Sequence, residues 1–406
     1  MKPRIEKQIW ISAGPSTAEG DGTQAHPFNG STPEKFDAIL QNHYNQFNLE
    51  VNLLEGLFAS DLNHTWVVRS GWTFQGQGID KSVIKMVGAF QNDRQPAMIA
   101  SSSNEDSEFM IVQDLTLDNN WQEIGKTAPI MNGEPNVKVG VIGLWGSDII
   151  VQRVKALHGY GSLANGLEMF QFFVAASRFR DANHNQIQNC IALEPFGNYG
   201  NPFAIVGFFD GVGAERISHD GLVAYCKAFG INDGLNNGFT SGGVNTGSVH
   251  NLTVLKNEFT DCYCIAYGDT GSLNGIKAKN NVLIRGWCGF NMAFTGDKPN
   301  IAVEDNQMLI QNRVVGGHSY GIANNFGKAI DFRAYRNRIT FDHNGKGLDE
   351  FWGIGIGPAD KVDVRGNMLG PIDGRIHNQI VGTNVTCLDN RDFDGNVIPG
   401  LEDRTP

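Results

Sequence analysis

Apolar and polar positions along this chain recur in short runs separated by glycine and asparagine, and six of those runs superimpose. One column reads Cys190, Cys226, Cys264, Cys288, Tyr320 and Trp352, followed two positions on by Ala192, Ala228, Ala266, Phe290, Ile322 and Ile354. A second column holds Asn257, Asn281, Asn306, Asn337 and Asn367. Asn183 stands seven residues before Cys190, the spacing that separates Asn257 from Cys264 and Asn281 from Cys288. An apolar pair at i and i+2 describes a strand with one buried face. Its return every 24 to 31 residues, measured between the asparagines, makes each repeat one coil of a solenoid.

The predicted fold class is therefore all-β, a right-handed parallel β-helix with a short N-terminal capping helix. Coils stack about 4.8 Å apart, so equivalent residues form ladders. Inward members must be apolar or small, and buried amides must bond to their neighbours. Asparagine suits the tight turns because it tolerates the left-handed conformation and its amide satisfies backbone groups. Upstream, Thr32 reads as an N-cap with Pro33 at the first helical position, and Phe36, Ile39 and Leu40 form the apolar stripe of the capping helix. Residues 1–50 are assigned to the N-terminal segment and this helix, 51–390 to the β-helix and 391–406 to a polar tail, all in one structural domain.

Composition narrows the partners. The 406 residues carry a formal net charge of −11, which argues against nucleic acid or an anionic membrane surface. No run is apolar for long enough to span a bilayer, and Met1 to Ile11 lacks the hydrophobic region of a signal peptide. A secreted or periplasmic location is expected on the reading that a leader is missing from this sequence. Cys190, Cys226, Cys264 and Cys288 fall in the inward column and read as packing residues. Cys262-Tyr263-Cys264 lacks a second pair at zinc spacing.

The strands of the type Tyr320-Gly321-Ile322 and Trp352-Gly353-Ile354-Gly355-Ile356, set against the asparagine turns, resemble the pectate lyase superfamily. The opening Gly20-Asp21-Gly22-Thr23 followed by a capping helix is similar to the start of many members. The resemblance covers nearly the whole chain and implies a parallel β-helix. It leaves activity open among polysaccharide lyases, glycoside hydrolases, uronate epimerases, phage tailspikes and non-catalytic surface proteins. The aspartate set of polygalacturonases and the Asp-Pro-His-Glu of mannuronan epimerases are both missing. In this superfamily the ladder strand floors the substrate groove.

On that reading the outward polar positions are Glu168, Lys227, Tyr267 and Asn291. Glu194, Asp233 and Asp269 lie just beyond strand ends, and His158, Tyr160, Tyr225 and His318 just before strands. Acids, bases and aromatic faces together suit a sugar groove. The leading reading is a lyase that cleaves a uronic-acid-containing polysaccharide by β-elimination. Lys227 is its base and Tyr267 its acid, with Glu168 and His158 as further catalytic candidates. Tyr225, Asn291, His318 and Tyr160 are the candidates for substrate binding. Glu194, Asp233 and Asp269 are candidate ligands of a cation, calcium if one is used. A glycoside hydrolase with paired carboxylates in the same groove, or a non-catalytic carbohydrate-binding or structural β-helix, remains open. The expected partner is polysaccharide, without nucleic acid or membrane insertion, bound by a monomer, or by a trimer if the chain is tailspike-like.

Overall fold

A computed structural model describes residues 5–14, 20–61, 66–88, 97–128, 130–135, 138–162, 165, 168–197, 200–209, 215–231, 242–268, 271–293, 296–311, 319–324, 327–342, 351–371 and 376–406. The fold is a right-handed parallel β-helix. The chain forms two compact units, Met1–Ala204 and Ile205–Pro406. No helix among the described residues is long and apolar enough to cross a membrane.

In the first unit, strands Leu49–Leu53, Thr73–Gln75 and Ile111–Asp118 pair in parallel, each above the last. Ile111–Asp118 then pairs along most of its length with Ile150–Leu157, which carries Gln186–Gln188 and Ile191–Leu193 on its other edge. Another stack runs Ile99–Ala100, Ile142–Trp145, Phe170–Ala175. Leu115, Leu117, Val154, Ala156, Leu144, Phe172 and Val174 point into the core without exposure. Helix α1, Pro33–His43, caps this unit as expected. Thr32 accepts from the Lys35 N–H, and Phe36 and Leu40 are buried, with Phe36 against Phe58 at 5.2 Å.

In the second unit the single cysteine column of the sequence divides between two stacks of strands. Lys227–Phe229 pairs with Glu258–Thr260 so that Ala228 faces Phe259, and this stack continues through Val282–Gly286, Gln307–Gln311 and Arg338–Asp342. Cys226 donates its N–H to Asn257 Oδ1 and so stands at the head of the asparagine ladder. Ala266 instead faces Phe290, then Ile322, then Ile354, in a different stack of strands. The same small-then-apolar alternation serves both stacks, which is why two columns read as one.

The asparagine ladder is continuous. The side chains of Asn281, Asn306, Asn337, Asn367 and Asn390 each accept from the backbone N–H of the preceding asparagine, from Asn257 to Asn367, at 2.9–3.2 Å. Each Nδ2 from Asn257 onward donates to a carbonyl of the coil before at 2.8–3.0 Å. Asn183 and His219 do not belong to this ladder. Asn183 sits on the short strand Ala182–Asn183, and His219 pairs with His250 in a separate small stack.

The glycines of the ladder strand also differ from expectation. A Cβ on Gly289, Gly321 or Gly353 would strike Met308 Sδ at 2.3 Å, Ile339 at 2.9 Å or Leu369 at 2.4 Å, all core residues. They face inward, whereas Tyr320 and Trp352 beside them are half-buried. Residues 391–406 are a cap rather than a free tail. Cys387 and Arg404 exchange backbone hydrogen bonds at 2.9 and 2.8 Å, and Ile398 and Leu401 are fully buried.

Candidate functional site

Titratable side chains gather where strands of the first unit end. Strand Ile111–Asp118 ends on Asp118, Ile150–Leu157 is followed by His158, and Ile191–Leu193 by Glu194. His158 and Glu194 hold the left-handed backbone, φ 57° and 52°, at their turns. These stacked turns aim three titratable side chains at one point. His158 Nδ1 lies 2.7 Å from Asp118 Oδ1, and His158 Nε2 lies 3.9 Å from Glu194 Oε2.

Asp118 sets the tautomer. Its carboxylate accepts from Nδ1–H, which leaves the imidazole lone pair on Nε2. Burial pushes the Asp118 carboxyl up, but the hydrogen bond and charge of His158, the Asn120 N–H and Lys85 outweigh it and hold the group below its usual range. Lys85 Nζ stands 3.7 Å from Asp118 Oδ2. The 3.9 Å from Nε2 to Glu194 is too long for a hydrogen bond and leaves both groups able to meet a third. Glu194 is half exposed and His158 about a quarter.

Two residues beyond these turns, aromatic rings stack. Tyr160 stacks with Trp121 at 4.1 Å and with Phe196 at 5.3 Å, and Trp121 and Phe196 lie 6.0 Å from each other. Tyr160 is 2% exposed and packs with Val139 and Ala128, while Trp121 and Phe196 are partly open. Asn119 fastens this excursion by donating to the carbonyls of Val139 and Gly140 at 3.0 and 2.9 Å.

Of the sequence candidates, His158 and Glu194 therefore meet, while Tyr160 is buried in the aromatic stack two residues beyond His158. Asp118 was missed, although it ends strand Ile111–Asp118 just as Glu194 follows Ile191–Leu193. Glu168 is elsewhere in this unit, accepting from the Asn201 amide at 2.8 Å.

In the second unit the proposed base and acid are separated. Lys227 lies in the stack that bears Glu258, which it ion-pairs at 2.9 Å. Tyr267 lies in the stack of Ala266–Gly268 and is 4% exposed. Hence Lys227 does not face a groove floor shared with Tyr267. Tyr225 is exposed at the asparagine turn, φ 57°, with Lys256 5.6 Å from its ring, and sits on a different edge from Tyr267. Tyr267 and Asn291 do share a column, behind Asn245. All three are nearly buried, with Asn245 donating to the Tyr267 hydroxyl and Asn291 to that of Tyr263. Asp233, Asp269 and His318 lie outside the described residues. Among the described residues, no three His, Cys, Asp or Glu side chains form a cluster that could hold a metal ion.

No family model and no curated protein matches the chain. Among solved structures it is similar to the DFA-IIIase of Arthrobacter chlorophenolicus, at 9% identity over 96% of each chain, TM-score 0.57. PfbA, a surface adhesin of Streptococcus pneumoniae, is similar at 13% identity over 94% of this chain and 89% of that one, TM-score 0.56. Endopolygalacturonase I from Stereum purpureum is similar at 9% identity over 87% and 98%, TM-score 0.54. The right-handed parallel β-helix is what they share with this chain. At these identities the likeness is one of fold, and function rests on the site.

Proposed function

We propose that the protein is a carbohydrate-active enzyme that cleaves a uronic-acid-containing polysaccharide by β-elimination, with His158 as the base. The observation that carries this reading is the ring of His158, held by Asp118 at 2.7 Å with its other nitrogen 3.9 Å from half-exposed Glu194. Partly exposed Trp121 and Phe196 next to it offer faces to a pyranose ring. The names of the fold neighbours, which include an endopolygalacturonase complexed with galacturonate and a glycoside hydrolase, support a saccharide as the substrate class.

In the step, His158 Nε2 takes the proton alpha to the uronate carboxylate. The electron pair forms the C4–C5 double bond, the C4–O bond breaks, and the departing oxygen is protonated from solvent on the Glu194 side. Asp118 stabilises the imidazolium that results.

The test is a panel of uronate polysaccharides assayed both for the ultraviolet absorbance of an unsaturated product and for new reducing ends. Absorbance rising together with reducing ends is the expected result. Reducing ends without absorbance would replace elimination by hydrolysis, and neither signal would leave a binding protein.

A further inference from the structure

The stack of Ile99–Ala100, Ile142–Trp145 and Phe170–Ala175 in the first unit has an outer face that the acid–base group does not use. Ile142 and Leu144 turn into the core, so Gly143 and Trp145 between and after them turn outward, and Gly143 lies opposite Phe173 on the next coil. Trp145 and Phe173 meet at 5.4 Å and Phe170 and Phe173 at 4.9 Å, both tilted by 57°. With a glycine where a side chain would stand, the rings wall a depression of about 100 Å³ lined by Gly143, Trp145, Phe170, Phe173 and Lys138.

Lys138 reaches it from the loop. Strand Lys138–Val139 pairs antiparallel with Tyr160–Gly161, which ties its position to the aromatic stack beside His158. Its ammonium lies 5.4 Å from the centre of the Phe170 ring. Among the described residues it makes no ion pair within 4 Å, although Glu168 attracts it from farther away. The protein crowded around the ammonium lowers its pKa against that attraction. Lys138 is solvent-accessible. In a chain of net charge −11, an unpaired cation at the rim of an aromatic depression is a local reversal of field.

We propose that this depression is a binding subsite for a carboxylated pyranose, the sugar ring on Trp145 and Phe173 and the carboxylate on Lys138. The proposal deepens the function given above by assigning the element that selects a uronate over a neutral sugar. An aromatic face accepts the C–H face of either sugar, whereas the ammonium favours the charged one. Glu168, held by buried Asn201, repels a carboxylate placed on its own side and so orients the ring.

The experiment is calorimetric titration of the full chain with oligogalacturonate, oligomannuronate and oligoglucuronate and their neutral counterparts, on wild type, Lys138→Met, Trp145→Ala and His158→Asn. At least one uronate oligomer is expected to bind wild type and His158→Asn alike, about tenfold more weakly to Lys138→Met, and more weakly again to Trp145→Ala. Neutral oligomers should bind Lys138→Met and wild type equally. Unchanged uronate affinity in Lys138→Met with an unchanged melting temperature, or equal affinity of wild type for neutral and charged oligomers, overturns the subsite. Turnover that needs His158 but not Lys138 would leave the catalytic reading intact without this subsite. Lys138-dependent binding with no turnover would do the reverse.

Discussion

At the scale of single residues, the account depends on where hydrogen bonds place charge. Asp118 has a folded pKa below its unfolded value, about 3.9. Its contribution to stability is therefore full above that value and disappears as pH falls through the lower folded one. Asp118→Asn should lower the melting temperature relative to wild type at about pH 6, and the difference should close towards about pH 3. A gap independent of pH would assign the effect to packing rather than to charge. The thiols give a second prediction. Burial pushes Cys288 up to about 12 and Cys264 well above its ordinary value, and all six cysteines are buried thiols outside any disulfide. Native protein should resist iodoacetamide, and the denatured chain should take up six equivalents. Rapid native labelling of Cys264 or Cys288 would contradict the inward placement.

At the scale of elements, the asparagine turn was legible because its chemistry leaves few alternatives. A buried amide that must satisfy a carbonyl behind and an N–H ahead recurs at one position, and Asn257 to Asn367 mark it in the sequence. Asn306→Ala would orphan the Asn281 N–H and the Ala278 carbonyl together. Burying such groups unpaired costs about 1–3 kcal/mol each, so a loss of roughly 2–5 kcal/mol is expected in denaturant unfolding. A loss under about 1 kcal/mol would mean that the ladder is not cooperative in stability. The apolar columns were less legible. Cys226 and Cys264 share a local pattern but stand in different stacks of strands, because every inward pair alternates with the same period of two. That aliasing put Lys227 and Tyr267 on one face. The first unit relies on a different ladder, Gln75 to Asn52, Gln113 to Gln75 and Gln152 to Gln113 at 2.6–2.7 Å, on a row where glutamine also suits a solvated strand.

At the scale of the whole molecule, the strand repeat carried the fold, whereas the chemistry lies where the repeat is interrupted. Asp118, His158 and Glu194 converge because three turns stack. Trp121 and Lys138 lie on an excursion whose path no periodicity encodes. The C-terminal segment teaches the same lesson from its polar composition. Ile398 and Leu401 are few among charged neighbours, yet both are fully buried. Deleting residues 391–406 should expose the last coil and its strand edges, giving a lower melting temperature and concentration-dependent association in size-exclusion chromatography. A truncated chain that stays monomeric and equally stable would show that the segment is dispensable.

If His158, held by Asp118, is the proposed base, His158→Asn should abolish turnover and leave the fold intact. Asparagine accepts the left-handed backbone at this position, so the turn is preserved while the base is removed. With the uronate polymer that the wild type cleaves, the variant should keep its melting temperature and affinity and lose turnover by about 10²–10⁴-fold. A folded His158→Asn protein that cleaves that polymer at the wild-type rate would contradict the account.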